Sequence, residues 1–93
     1  MNQCSSQAHK RADKMLNAVY AKARIVSKND AKGLKTLLDS QRGWLRYRDG
    51  QCILEAGAYR GGSIVPLIYG NCMTRITRVR TQELRKYLTP EGQ

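Results

Sequence analysis

Apolar residues recur every three or four positions from Ser6 to about Lys28. Ala8, Ala12, Met15, Val19, Ala23 and Val26 form a stripe that Leu16 and Tyr20 widen, and the lysines and arginines fall mostly outside it. A period of this kind predicts one amphipathic helix, with Ser5 or Ser6 as its cap. "SKND" (27–30) interrupts the pattern with residues that close one helix and cap the next. A second stripe follows from about Asp30 to Gly57, through Leu34, Leu37, Leu38, Gln41, Leu45, Arg48 and Cys52, with Trp44 beside it. Gly33, Gly43 and Gly50 each weaken that helix by about 1 kcal/mol relative to alanine, so it depends on packing against its neighbours.

"GAYRGGS" (57–63) is the strongest breaker in the chain. Ser63 is placed to cap a third helix, and Pro66 falls in its first turn, where a missing N–H costs nothing. The third stripe, Leu67, Tyr69, Cys72, Ile76, Val79, Glu83 and Tyr87, is less clean, although Ile68, Leu84 and Leu88 reinforce it. Pro90 and Gly92 close the chain. No repeat, low-complexity tract or alternating strand pattern is present. The pattern predicts an all-α fold, a small three-helix domain spanning residues 1–93 whose last two helices form a long antiparallel hairpin.

Length and charge narrow this further. Ninety-three residues suffice for one domain, near the lower limit for an unaided apolar core. Seventeen lysines and arginines against seven acids give a net charge of +10, which favours anionic partners such as nucleic acid, acidic glycans, anionic lipid or an acidic protein. No apolar run approaches membrane-spanning length, and "MNQCSSQAHKRADK" has no signal-peptide h-region, so the protein is either cytosolic or trimmed of a leader. Cys4, Cys52 and Cys72 are an odd number. In a reduced compartment they are small buried hydrophobes; in an oxidising one, two pair and one is left over.

The residues that could carry chemistry do not assemble into a reaction site. Three cysteines with His9 lack the close CxxC spacing of a zinc site, so neither a metal nor a cofactor is expected. His9 reads as a solvated residue near a helix start. The acids show no catalytic pairing, which argues against an enzyme. "TRITRVRTQELRK" puts Arg75, Arg78 and Arg85 at helical spacing, with Arg80 and Lys86 nearby, a face that could track phosphates. It lacks the interleaved aromatics that stacking on single strands requires. Binding to nucleic acid or another anionic surface is therefore the second reading.

"QRGWLRYRDGQC" (41–52) carries the most information. Its order Gln41, Trp44, Arg48, Asp49, Cys52 closely resembles the signature of the LprI-type lysozyme inhibitor family, also known as DUF1311. "ADKMLNAVY" extends the resemblance through Asp13, Leu16, Asn17 and Tyr20. "GGSIVPLIYGNC" adds Gly62, Ser63, Tyr69 and Cys72, and "TRVRTQEL" adds Thr77, Arg80 and Leu84. The resemblance covers nearly the whole chain. It implies a short helical domain, mostly in exported or lipid-anchored bacterial proteins with disulfides, some of which inhibit lysozyme.

The expected function is accordingly a non-catalytic protein-binding module of the bacterial envelope, with lysozyme or a cell-wall hydrolase as partner. Its expected location is periplasmic or secreted with the leader absent, or cytoplasmic if the cysteines are reduced. Cys52 and Cys72 lie on inward positions flanking the glycine-rich turn, where a hairpin can bring them together as a disulfide. Cys4 is then free or bonded to a residue lost with the leader. Trp44 is expected in the core, and Arg48, on the buried stripe, needs a partner: Asp13, or Asp49 locally, with Asn17 serving polar groups in the same layer. Candidate partner-binding residues are the turn, Tyr59, Arg60, Gly61, Gly62 and Ser63, and the exposed Arg42 and Arg46. Tyrosine and arginine at a hairpin tip are side chains enriched at binding hot spots.

Overall fold

The computed structural model describes the backbone of residues 2–89 and the side chains of residues 7–89. It contains α1 (Asn2–Val26), α2 (Ala31–Gly57) and α3 (Val65–Leu88), and no strand among the described residues. The all-α, three-helix expectation holds. Helix α1 begins at Asn2, so Ser5 and Ser6 lie within the helix and do not cap it. Serine costs only about 0.5 kcal/mol in a helix interior, too little to stop a segment that continues into Gln, Ala and Lys.

The junctions follow from local chemistry. Asp30 is extended (φ −122°, ψ 92°), and its Oδ1 accepts the Gly33 N–H at 3.0 Å, an N-cap worth about 1 kcal/mol. Buried Ser27 places Oγ 2.7 Å from the Tyr87 hydroxyl, tying the end of α1 to the end of α3. In the second junction Gly61 has φ +86°, a left-handed conformation that side chains with a Cβ resist. Ser63 is not the cap of α3. The turn runs on through Gly62, whose carbonyl accepts from Val65 N–H, so Ile64 takes the cap position without a side-chain bond. Pro66 does lie in the first turn.

Helices α1 and α3 run parallel and α2 runs antiparallel to both, in a rod of 49 × 21 × 20 Å. Helix α3 packs against both others, more extensively against α1 than against its hairpin partner α2, while α1 and α2 touch little. Two apolar clusters result. One joins Leu16, Val19 and Ala23 of α1 to Leu37 and Leu84. The other gathers Cys52, Cys72, Met73 and Ile76, and half-buried Trp44 packs against both. Each fully buried leucine contributes about 1.5–3 kcal/mol.

The predicted stripes require correction on all three helices. On α1 Met15 and Val26 are exposed, on the flank that neither α2 nor α3 covers. On α2 the buried positions are Leu37, Gln41, Arg48, Cys52 and Ala56, whereas Leu45 is exposed because α1 does not close over that flank. On α3 Tyr69, Val79, Glu83 and Tyr87 are exposed, and Gly70, Thr74, Thr77 and Thr81 are buried. A helix between two neighbours is buried on two sides, and the second side here is built from small residues. Thr74 and Thr81 satisfy their hydroxyls on the carbonyls of Gly70 and Thr77 (2.9 and 3.0 Å), so this polar face is buried without orphaned groups.

Candidate functional site

The residues of "QRGWLRYRDGQC" divide by the 3.6-residue period of α2. Gln41, Trp44, Arg48 and Cys52 point inward, while Arg42 and Arg46 are exposed. Arg48 is buried and sits where all three helices meet. Its guanidinium donates to Asp13 Oδ1 of α1 (3.3 Å), Thr77 Oγ1 of α3 (3.3 Å) and Asp49 Oδ1 (3.4 Å). Its Cζ lies 4.9 Å from the Trp44 ring centroid. Arg80 supplies a second cation, 6.0 Å from the same ring, and donates to Gln41 Oε1 and Ser40 Oγ at 2.9 Å each. Each cation–ring contact is worth about 0.5–2 kcal/mol at this degree of burial.

Asp13, Arg48 and Asp49 are thus brought together, and Asn17 is not. It is exposed, roughly 130° round α1 from the centre of the Ala12–Leu16–Val19–Ala23 stripe. Thr77 and Arg80 complete the polar layer. The stripe on α3 did not suggest them, although Arg80 follows inward-facing Ile76 by four residues, and Thr77 and Arg80 both stand in the family resemblance. His9 is half-buried within α1, with Nδ1 shielded from solvent, because the helix begins two turns before it.

Cys52 and Cys72 form a disulfide between α2 and α3 with Cα atoms 5.5 Å apart. The Cys4 side chain lies outside the described residues. Beyond the disulfide the hairpin opens into a concavity of about 560 Å³. Ile53, Ala56 and Gly57 line it from α2, Val65, Pro66 and Tyr69 from α3, and Arg60, Gly61 and Gly62 from the turn. Arg60 is the one charged residue among them. Tyr59 and Ser63 are exposed at the same end. Arg42, Arg46 and Ile53 are spaced by four and seven residues on one exposed face of α2 that leads toward this concavity.

The arginines of α3 do not form one free face. Arg75 bonds Glu55 at 2.6 Å, and that bond, seconded by Gln51, holds the Glu55 carboxyl below its ordinary value of 4.5. Arg80 turns inward, leaving Arg78, Arg85 and Lys86 exposed. Asp39 is likewise held below its ordinary 3.8, first by its hydrogen bond from Lys35. No helix among the described residues is long and apolar enough to cross a membrane.

Comparison with known proteins matches this arrangement of residues to a family. The chain is similar to a crystallised DUF1311 family protein from Pseudomonas putida KT2440, with a TM-score of 0.82 at 20% identity over 91% of this chain and 87% of that one. That likeness concerns the fold. The chain is also 35% identical over 99 residues to an uncharacterized protein of Rhizobium meliloti (strain 1021), covering 95% of this chain and 71% of the relative. Residues 1–84 match the family described as Lysozyme inhibitor LprI. With the Gln41–Cys52 signature forming the three-helix junction and the disulfide, the chain belongs to the LprI lysozyme inhibitor family.

Proposed function

We propose that this protein is a non-catalytic binding module of the bacterial envelope that inhibits a lysozyme-type cell-wall hydrolase through the α2–α3 turn. The observation that carries the reading is the concavity at the turn, apolar apart from Arg60 and backed by the disulfide. Its size suits one or two anchoring side chains of a protein partner. Tyr59 and Arg60 supply large contact area and directional donors beside it, and Arg42 and Arg46 extend the contact along α2. The disulfide limits the freedom that the turn would lose on binding, which lowers the ordering cost. A disulfide also fits an oxidising location, periplasmic or secreted. The family description supports the lysozyme-type partner.

The test is lysis of purified bacterial cell walls, followed by turbidity, with lysozyme or an envelope hydrolase and increasing amounts of the protein. Inhibition that saturates near equimolar protein is expected. Tyr59→Ala combined with Arg60→Ala should abolish it while leaving the circular dichroism spectrum unchanged. Lysis that proceeds unchanged at large molar excess refutes the inhibitor reading. Inhibition that survives the double variant removes the turn from the contact surface.

A further inference from the structure

The charges of this protein are unevenly distributed around the bundle. All six acids among the described residues lie on α2, at its cap, or on the side of α1 and α3 turned toward it. Asp13 reaches Arg48, Glu83 pairs with Arg80, Asp30 caps α2, and Asp39, Asp49 and Glu55 are on α2 itself. The opposite face, where α1 and α3 lie side by side, therefore carries no acid among the described residues. Arg11 and Lys22 stand on it from α1, and Arg78 and Arg85 from α3, all exposed. Arg11 and Arg78 border the same shallow groove, whose floor includes Ala12, Met15 and Thr81.

Exposed apolar side chains share this face. Met15 and Val26 lie on the same flank of α1 as Arg11 and Lys22, exposed by 53% and 66%. Cations interspersed with exposed apolar residues on a broad surface of two parallel helices are the arrangement of an interfacial helix, which attracts anionic headgroups and buries apolar side chains at the acyl boundary. A nucleic acid would use the cations and leave Met15 and Val26 unburied, and among the described residues the face offers no aromatic ring for a base. The geometry points to the α1–α3 face as a docking surface for an anionic lipid bilayer. Docked in this way, the rod lies along the membrane with α2 and the outward face of the turn turned away from it.

Vesicle co-sedimentation tests this, using phosphatidylcholine vesicles with and without phosphatidylglycerol. Binding is expected only when phosphatidylglycerol is present and should weaken as salt is raised. Arg78→Gln with Arg85→Gln should reduce the partition coefficient roughly 25-fold, at about fivefold per cation near an anionic surface. Lys32→Gln with Lys35→Gln removes the same charge from α2 and should change it less than about threefold, the residual effect of net charge alone. Met15→Ser should also weaken binding, which a purely electrostatic contact would not show. Equal loss from the two double variants, binding indifferent to phosphatidylglycerol, or duplex DNA bound more tightly than the vesicles at the same salt would each overturn the assignment. Circular dichroism of every variant confirms that lost binding is not lost folding.

Discussion

Removing Arg48 should cost less than removing the two acids that hold it. The guanidinium side chain is only 11% exposed, whereas Asp13 and Asp49 are 43% and 56% exposed. Arg48→Met replaces a buried cation with an apolar chain that still lies on Trp44, and the freed carboxylates are hydrated where they stand. What is lost is the bond to Thr77, about 1 kcal/mol, two half-exposed ion pairs at about 0–1 kcal/mol together, and the cation–ring contact with Trp44, about 0.5–2 kcal/mol. Methionine against the indole recovers most of the ring contact, and no buried cation remains to be desolvated, leaving a net cost of about 1–2 kcal/mol. Asp13→Ala with Asp49→Ala does the opposite, stranding the buried guanidinium with Thr77 and the Trp44 face. Breaking a fully buried pair costs about 3–5 kcal/mol, and the partial exposure of these acids together with the helix preference of alanine lowers that to about 2–3 kcal/mol. Urea denaturation followed by far-UV circular dichroism gives both values. If Arg48→Met proves the more destabilising, the cation is a net source of stability, and the reasoning from burial is wrong.

Three further perturbations follow from the fold. Cys52→Ala with Cys72→Ala should lose about 3 kcal/mol, given the sequence separation of 20, and reductant should shift the urea midpoint of the parent protein comparably; a parent midpoint indifferent to reductant excludes the bond in solution. Gly61→Ala, at φ +86°, should destabilise by about 1–2 kcal/mol, while Gly43→Ala and Gly50→Ala, with open space about them in α2, should each stabilise by up to about 1 kcal/mol; the same sign at all three would contradict the turn geometry. Because Arg75 lowers the folded-state pKa of Glu55, its contribution is present above about pH 4.5 and is lost as pH falls through the lower folded value; the stability difference between parent and Glu55→Gln should shrink over that window, and a difference constant with pH would show that the ion pair does not form.

The local periodicities determined a great deal about this protein by themselves. Three helices, the Asp30 cap, the glycine turn and the pairing of Cys52 with Cys72 all follow from contacts between residues near in sequence or on one hairpin. The ordered residues of the signature identified the family and set Arg48 among its partners. The start of α1 was not legible, because serine at Ser5 and Ser6 suits a cap and tolerates a helix almost equally well. The closer association of α3 with α1 than with α2 was hidden for a different reason. Beside Leu84, its buried face is made of Gly70, Thr74, Thr77 and Thr81, which give no apolar stripe although the threonine hydroxyls are satisfied within the helix or by Arg48. Only tertiary packing decides that such a face is interior. The same packing settles which arginines are free. Arg75 and Arg80 look like Arg78 and Arg85 in the sequence, but a carboxylate on α2 claims the first, and Trp44, Gln41 and Ser40 claim the second. Charge is read from composition; its direction in space depends on where the neighbouring helix puts its acids.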